Sequence, residues 1–292
     1  YKDTQFSYLV GANYKLTPDA MVYAKYSTGY VSGGTVGPLP YEPEKAKSAE
    51  LGFKGDFLNR RLRTNVALWW AKYSNNQGTG SASALGQILV DYFVREGIDP
   101  SLAGVFGTFV VDRGTIEAKG IELEVTAAPT QGVTFGGNLS YTDAKPKNVP
   151  EFAKLAVSLP ANAPDSDYKL VFLPEWTASV FAQYDTPTLF GDAYATFRVD
   201  ANYQSESYSF GSGDKHPVAV FRPYATIPDY WLVNGRAALR NVEIGGVSGE
   251  VALWGKNILN KSVIQYPLLL SGLVSTTYNA PRSYGVDFTV QF

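Results

Sequence analysis

At 292 residues the chain could form one or two globular domains or a membrane barrel, so length alone decides little. Its 25 lysines and arginines against 27 aspartates and glutamates give a formal charge of -2, too little basic excess for a phosphate backbone, which argues against nucleic acid as a partner. The absence of cysteine removes thiolate catalysis, disulfide frameworks and cysteine-based zinc sites, while 20 Tyr and 5 Trp beside a single Met favour pleated strands over helices.

No run approaches the ~18 consecutive apolar residues that a spanning helix needs, and Tyr1 opens without the charged and apolar regions of a signal peptide. What recurs instead along the chain is alternation with a period of two. It predicts about eleven strands, near 5–16, 19–29, 46–57, 61–74, 113–128, 131–143, 175–186, 190–204, 229–241, 248–257 and 282–292. In 120–126, Ile121, Leu123 and Val125 alternate with Glu122, Glu124 and Thr126. In 193–204, Ala193, Ala195, Phe197, Val199, Ala201 and Tyr203 alternate with polar neighbours such as Arg198, Asp200 and Asn202. The last strand is the cleanest: Tyr284, Val286, Phe288, Val290 and Phe292 form one face, and Gly285, Asp287, Thr289 and Gln291 the other.

Between these strands, tight turns at Thr17-Pro18, Leu58-Asn59-Arg60, Pro129-Thr130, 186–189 and 243–247 alternate with long loops at 30–45, 75–112, 144–174, 205–228 and 258–281. This is the pattern of an all-β, antiparallel transmembrane barrel of the outer membrane, with short periplasmic turns and long outward loops. The strand lengths also suit a bilayer crossing better than the ~5–6 residues usual in globular sheets. Tyr14, Tyr26, Trp70, Tyr73, Tyr141, Trp176, Tyr184, Tyr203, Trp231 and Tyr284 fall at strand ends, where interfacial belts form. Bacterial barrels use even strand numbers, so an odd count beginning on an inward strand predicts that the chain is a piece of a larger barrel.

Enzymatic chemistry finds little support in the sequence. His216 is the lone histidine, lies in the polar run 211–216 without a G-x-S-x-G elbow nearby, and is expected to be an exposed loop residue. The Gly78-Thr79-Gly80 and Gly211-Ser212-Gly213 runs lack the rest of a phosphate-binding loop and are expected to be flexible loop tips. Glu122 and Glu124 share the polar face of one strand, as expected of a hydrated inner wall rather than a metal site.

Several segments together resemble a known family. Tyr26-Ser27-Thr28-Gly29-Tyr30 is followed by Gly33-Gly34, by Tyr41-Glu42-Pro43-Glu44 and by Ser48-Ala49-Glu50-Leu51-Gly52-Phe53-Lys54. Lys119-Gly120-Ile121-Glu122-Leu123-Glu124, then the run from Leu253-Trp254-Gly255-Lys256-Asn257 to Ile258-Leu259-Asn260-Lys261, then Pro281-Arg282-Ser283-Tyr284-Gly285 before the terminal Phe292, come in the same order. This succession resembles the C-terminal half of TonB-dependent outer-membrane receptors. The resemblance implies that residues 1–292 are part of a plugged, 22-stranded barrel whose plug, TonB-contacting segment and earlier strands lie outside this sequence. It further implies an outer-membrane transporter of a Gram-negative bacterium, without a cofactor, that imports a ferric siderophore or similar scarce nutrient using the TonB complex. An autotransporter translocator predicts an even strand count and a helix through the pore. A passive porin leaves the closing motifs unexplained.

Within that family, loops and lumen capture the ligand. The 205–228 loop offers Tyr208, Phe210, Arg222 and Tyr224, with Lys215 and His216, as candidates to grip an anionic, partly aromatic chelate. Tyr284, Phe288 and Phe292 resemble the terminal signal read by the periplasmic barrel-assembly machinery. Val286 is expected to face lipid and Asp287 the lumen, where Asp287→Arg should be tolerated.

Overall fold

The computed structural model describes residues 4–36, 39–81, 85–105, 107–270 and 273–291, and in it eleven strands form one antiparallel sheet in strict chain order. They are β1 (Leu9–Thr17), β2 (Ala20–Val31), β3 (Glu44–Phe57), β4 (Leu62–Ser74), β5 (Thr115–Thr130), β6 (Val133–Lys147), β7 (Trp176–Asp185), β8 (Tyr194–Gln204), β9 (Tyr230–Ile244), β10 (Val247–Lys256) and β11 (Ser283–Gln291). The sheet is not closed: β1 and β11 each have one neighbour. The number of strands matches the alternation, whereas some ends move. β6, for example, runs to Lys147 because it stays paired with β5 out to Thr115 after its pairing with β7 has stopped at Tyr141 opposite Trp176. Pro146 is tolerated there because that stretch of β6 has only one partner strand left to serve.

Alternation sorts the side chains onto two faces. On one, Leu51, Leu68, Ile121, Leu139, Val180, Leu253, Val286 and Phe288 are exposed. On the other, polar groups pair across strands: Tyr23 donates to Glu50 at 2.7 Å, Lys25 meets Glu50 at 2.7 Å, Asn65 donates to Glu124 at 3.0 Å, and Asn234 donates to Asp200 at 2.7 Å. The polar face also carries three aromatic rings laid over glycines directly opposite them, Tyr23 on Gly52, Trp69 on Gly120 and Trp254 on Gly285. A Cβ on those glycines would lie 2.2 Å from Tyr23, 2.6 Å from Trp69 and 2.2 Å from Trp254. Asp287 is not a free position on this face. It accepts from Arg236 at 2.7 Å and from the Trp254 indole at 2.9 Å, so an arginine there would confront Arg236, contrary to the expected tolerance.

Short turns lie at one end of the sheet and long loops at the other. Gly245 and Gly246, at φ 60° and 84°, make the two-residue turn between β9 and β10, whose left-handed backbone suits glycine. The long loops are themselves folded. The loop 75–114 contains a hairpin of Gln77–Ser81 with Thr108–Asp112 and the helix α1 (Gln87–Arg95); the loop 148–175 contains α2 (Glu151–Ala156). Leu89 and Phe93 of α1, one turn apart, are almost fully buried with Phe109, Ala153, Leu159 and Tyr168, giving these two loops a shared apolar core. Neither glycine run is a free loop tip. Gly78 and Gly80 are paired inside the hairpin, and Ser212 and Gly213 are buried.

Candidate ligand site

The folded loops and the loop end of the polar face enclose a cavity of about 880 Å3. Its walls come from segments far apart in sequence: Trp69, Tyr73 and Asn76 from β4 and just beyond it, Arg113 before β5, Tyr168 and Phe172 before β7, Phe210, Ser212 and His216 before β9, and Tyr266 before β11. Tyr73 therefore faces the cavity and does not belong to the outer aromatic belt. Phe172 and Tyr266 stack with centroids 5.5 Å apart, so two loops meet over the opening through ring faces.

Four polar atoms of this lining are buried with no hydrogen-bond partner: Trp69 Nε1, Asn76 Oδ1, Arg113 Nε and Ser212 Oγ. Buried polar atoms are ordinarily paired, so a cluster of unpaired donors and acceptors around one cavity suits a polar guest. Their surroundings hold them in place. The Asn76 amide nitrogen donates to Glu44 at 3.1 Å, leaving its oxygen buried without a partner; Arg113 Nη2 donates to the Gln77 carbonyl at 2.9 Å. Gly78 makes room for that arginine, because a Cβ there would come within 2.5 Å of Arg113 Nε. Burial pushes the Tyr168 hydroxyl pKa up, and the neighbouring Arg113 charge pulls against it, so the phenol stays a neutral donor beside a guanidinium.

The residues expected from the sequence are distributed differently. Phe210 lines the cavity and packs with Phe221 and Ala225. Tyr208 lies outside it, its ring beneath Lys169 Nζ at 5.0 Å, in an adjoining depression. Arg222 ties the loop together by donating to the His216 carbonyl at 2.8 Å, and the Tyr224 carbonyl accepts from Ser209; neither lines the cavity. His216 is buried, not exposed. Its ring is T-shaped against Phe221 at 5.0 Å, and its Nδ1 accepts from the Val218 amide at 3.2 Å. Tyr284 and Phe288 stand exposed on the apolar face of β11, while Phe292 lies outside the described residues.

Trp69, Asn76, Arg113, Tyr168 and Tyr266 also line the cavity and are not among the residues expected from the sequence. Only Trp69 carried a local sign, because an aromatic on the polar face of a strand breaks the alternation. The others become neighbours only when the loops converge.

Comparison with known proteins gives a consistent result. The family model described as "TonB dependent receptor-like, beta-barrel" matches residues 1–258. The chain is similar to the ferrichrome outer membrane transporter/phage receptor of Escherichia coli K12, 24% identical over 266 residues, covering 90% of this chain and 29% of that protein. It is also similar to the ferric-pyoverdine 358 receptor of Pseudomonas putida, 29% identical over 134 residues, covering 45% of this chain and 14% of the other. The fold matches the ferric yersiniabactin uptake receptor FyuA of Yersinia pestis with a TM-score of 0.69 at 15% identity, over 97% of this chain and 37% of that one. The chain thus spans less than a third of the curated relatives it matches.

Proposed function

From the premise that this chain belongs to the TonB-dependent receptor β-barrel family, we propose that it is the C-terminal part of the barrel wall of an outer-membrane receptor importing a ferric siderophore or similar chelate. The plug and the remaining strands of a 22-stranded barrel would come from elsewhere in the protein, together with the segment that receives energy from the TonB complex. On this reading the polar face lines the lumen, the apolar face meets lipid, and the long loops face outward.

The observation that carries the ligand assignment is the cavity at the loop end, with Trp69, Asn76, Arg113 and Ser212 offering unpartnered polar atoms between aromatic walls. A ferric chelate presents anionic oxygens and flat ligand groups, which an arginine fork, an indole N–H and ring faces can engage together. Arg222 and Tyr224 would serve indirectly, by holding the loop that carries Phe210. Tyr284, Phe288 and Phe292 would be the strand presented to the barrel-assembly machinery.

The test uses the full-length receptor and a panel of ferric hydroxamates, catecholates and mixed chelates, with binding followed by quenching of tryptophan fluorescence. At least one chelate should bind, and Arg113→Ala should weaken it by about tenfold or more, the loss expected when one charge-assisted contact is removed. Absence of binding across the panel, with the barrel intact, would remove the siderophore assignment. Unchanged affinity in Arg113→Ala would move the site away from this cavity.

A further inference from the structure

The apolar face of β3 to β6 changes character toward the loop end. Leu51, Leu68 and Ile121 lie opposite one another in register, with Tyr141 opposite Ile121 and Trp176 opposite Tyr141. Two residues further along, about 7 Å at the rise of an extended strand, Trp70 lies opposite Lys119 and Lys119 opposite Asp143. In the next row Thr28, Lys47, Lys72, Glu117 and Lys145 follow one another across five strands. Beyond it on the same face stand Lys45, opposite Tyr30, and Lys147, opposite Thr115.

Six lysines are thus gathered with only Glu117 and Asp143 among them. Glu117 is shared by Lys72, at 3.6 Å, and Lys147; Asp143 is shared by Lys145, at 3.2 Å, and Lys119, at 3.8 Å. Each carboxylate steadies two ammonium groups without cancelling both, and among the described residues no carboxylate contact joins Lys45 and Lys47 to the cluster. None of the six lines the cavity, and only Lys145 and Lys147 border the depression adjoining it, so the charge is not gathered for a ligand in the cavity. It lies directly above the leucine and tryptophan rows that mark the edge of the hydrocarbon layer.

We propose that this face is a binding site for a phosphorylated lipid of the surrounding outer leaflet, with its acyl chains along Leu51, Leu68 and Ile121 and its headgroup phosphate among Lys47, Lys72 and Lys145. Flexible lysine stems can follow the apolar surface while the ammonium groups reach the headgroup level, and attraction to anionic lipid adds with each lysine near the surface. The site rests on the membrane-spanning reading but is independent of the chelate cavity.

The experiment inserts the full-length receptor into phosphatidylcholine vesicles with and without a diphosphorylated glucosamine lipid, re-extracts it, and measures that lipid retained per receptor. The wild type should retain it. Lys72→Gln should lower apparent affinity about fivefold, and Lys47→Gln/Lys72→Gln/Lys145→Gln together at least tenfold. Lys54→Gln, whose ammonium lies over the Tyr23 ring on the polar face, should behave as wild type. Inorganic phosphate should not displace the lipid. Retention unaffected by the lysine variants, or displacement by inorganic phosphate alone, would overturn the lipid site; failure of the wild type to insert even into phosphatidylcholine would instead overturn the membrane reading.

Discussion

At His216 one ring decides whether a loop keeps its shape. The imidazole is packed between Phe210 and Phe221, and its Nδ1 must be unprotonated to accept the Val218 amide. Burial depresses its pKa below the usual value, and the nearby Arg222 charge adds to the depression. A base whose pKa is lowered by folding binds more protons when unfolded, so its contribution to stability is present above the ordinary ~6.5 and fades as pH falls toward the folded value. In the full-length receptor the Val218 amide should exchange faster at pH 5 than at pH 7.5 once intrinsic rates are corrected, and His216→Phe should remove the difference. Equal protection at both pH values would show that the imidazole does not hold this turn. The sequence pointed the other way because the neighbours Gly211 to Lys215 are small or polar, while the covering ring comes from Phe221, five residues on.

At the scale of an element, β11 separates the two faces most sharply. Val286 is exposed among Leu253 and Phe288, so Val286→Arg should cost roughly 2–4 kcal/mol if it lies near the bilayer midplane. Asp287 must be treated differently from an unpartnered position on the polar face, because it joins Arg236 and Trp254. Asp287→Asn keeps an acceptor for only one of the two donors and should lower the urea midpoint of the full-length barrel less than Asp287→Arg, which sets a second cation against Arg236. Indifference to Asp287→Arg would mean the Arg236 contact adds nothing. Strands like this one were legible in the sequence because period-two alternation survives over nine residues or more. The helix α1 was not, since its buried Leu89 and Phe93 are only one turn of pattern and find their partners in another loop.

For the molecule as a whole, the sequence carried the meander but not the cavity. Loop lengths alternate along the chain and can be counted; the approach of Trp69, Arg113, Tyr168, Phe210 and Tyr266 depends on how separate loops settle over one opening. The open sheet has its own consequence. β1 and β11 each present an unpaired strand edge, a template for joining another chain. The 292-residue chain, refolded alone in detergent micelles, should therefore sediment as dimers or larger species; a monodisperse monomer showing the heat-dependent gel mobility of a closed barrel would contradict the open sheet. On the proposed reading, in which the polar face lines the lumen of a closed barrel, the three rings laid on Gly52, Gly120 and Gly285 bear on a different property, the clearance of that passage. Each ring lies flat because its opposite residue has only hydrogen where others have carbon. A methyl at any of the three would lever a tyrosine or tryptophan off the wall and into the bore, so the bore's width depends on three side chains that are missing.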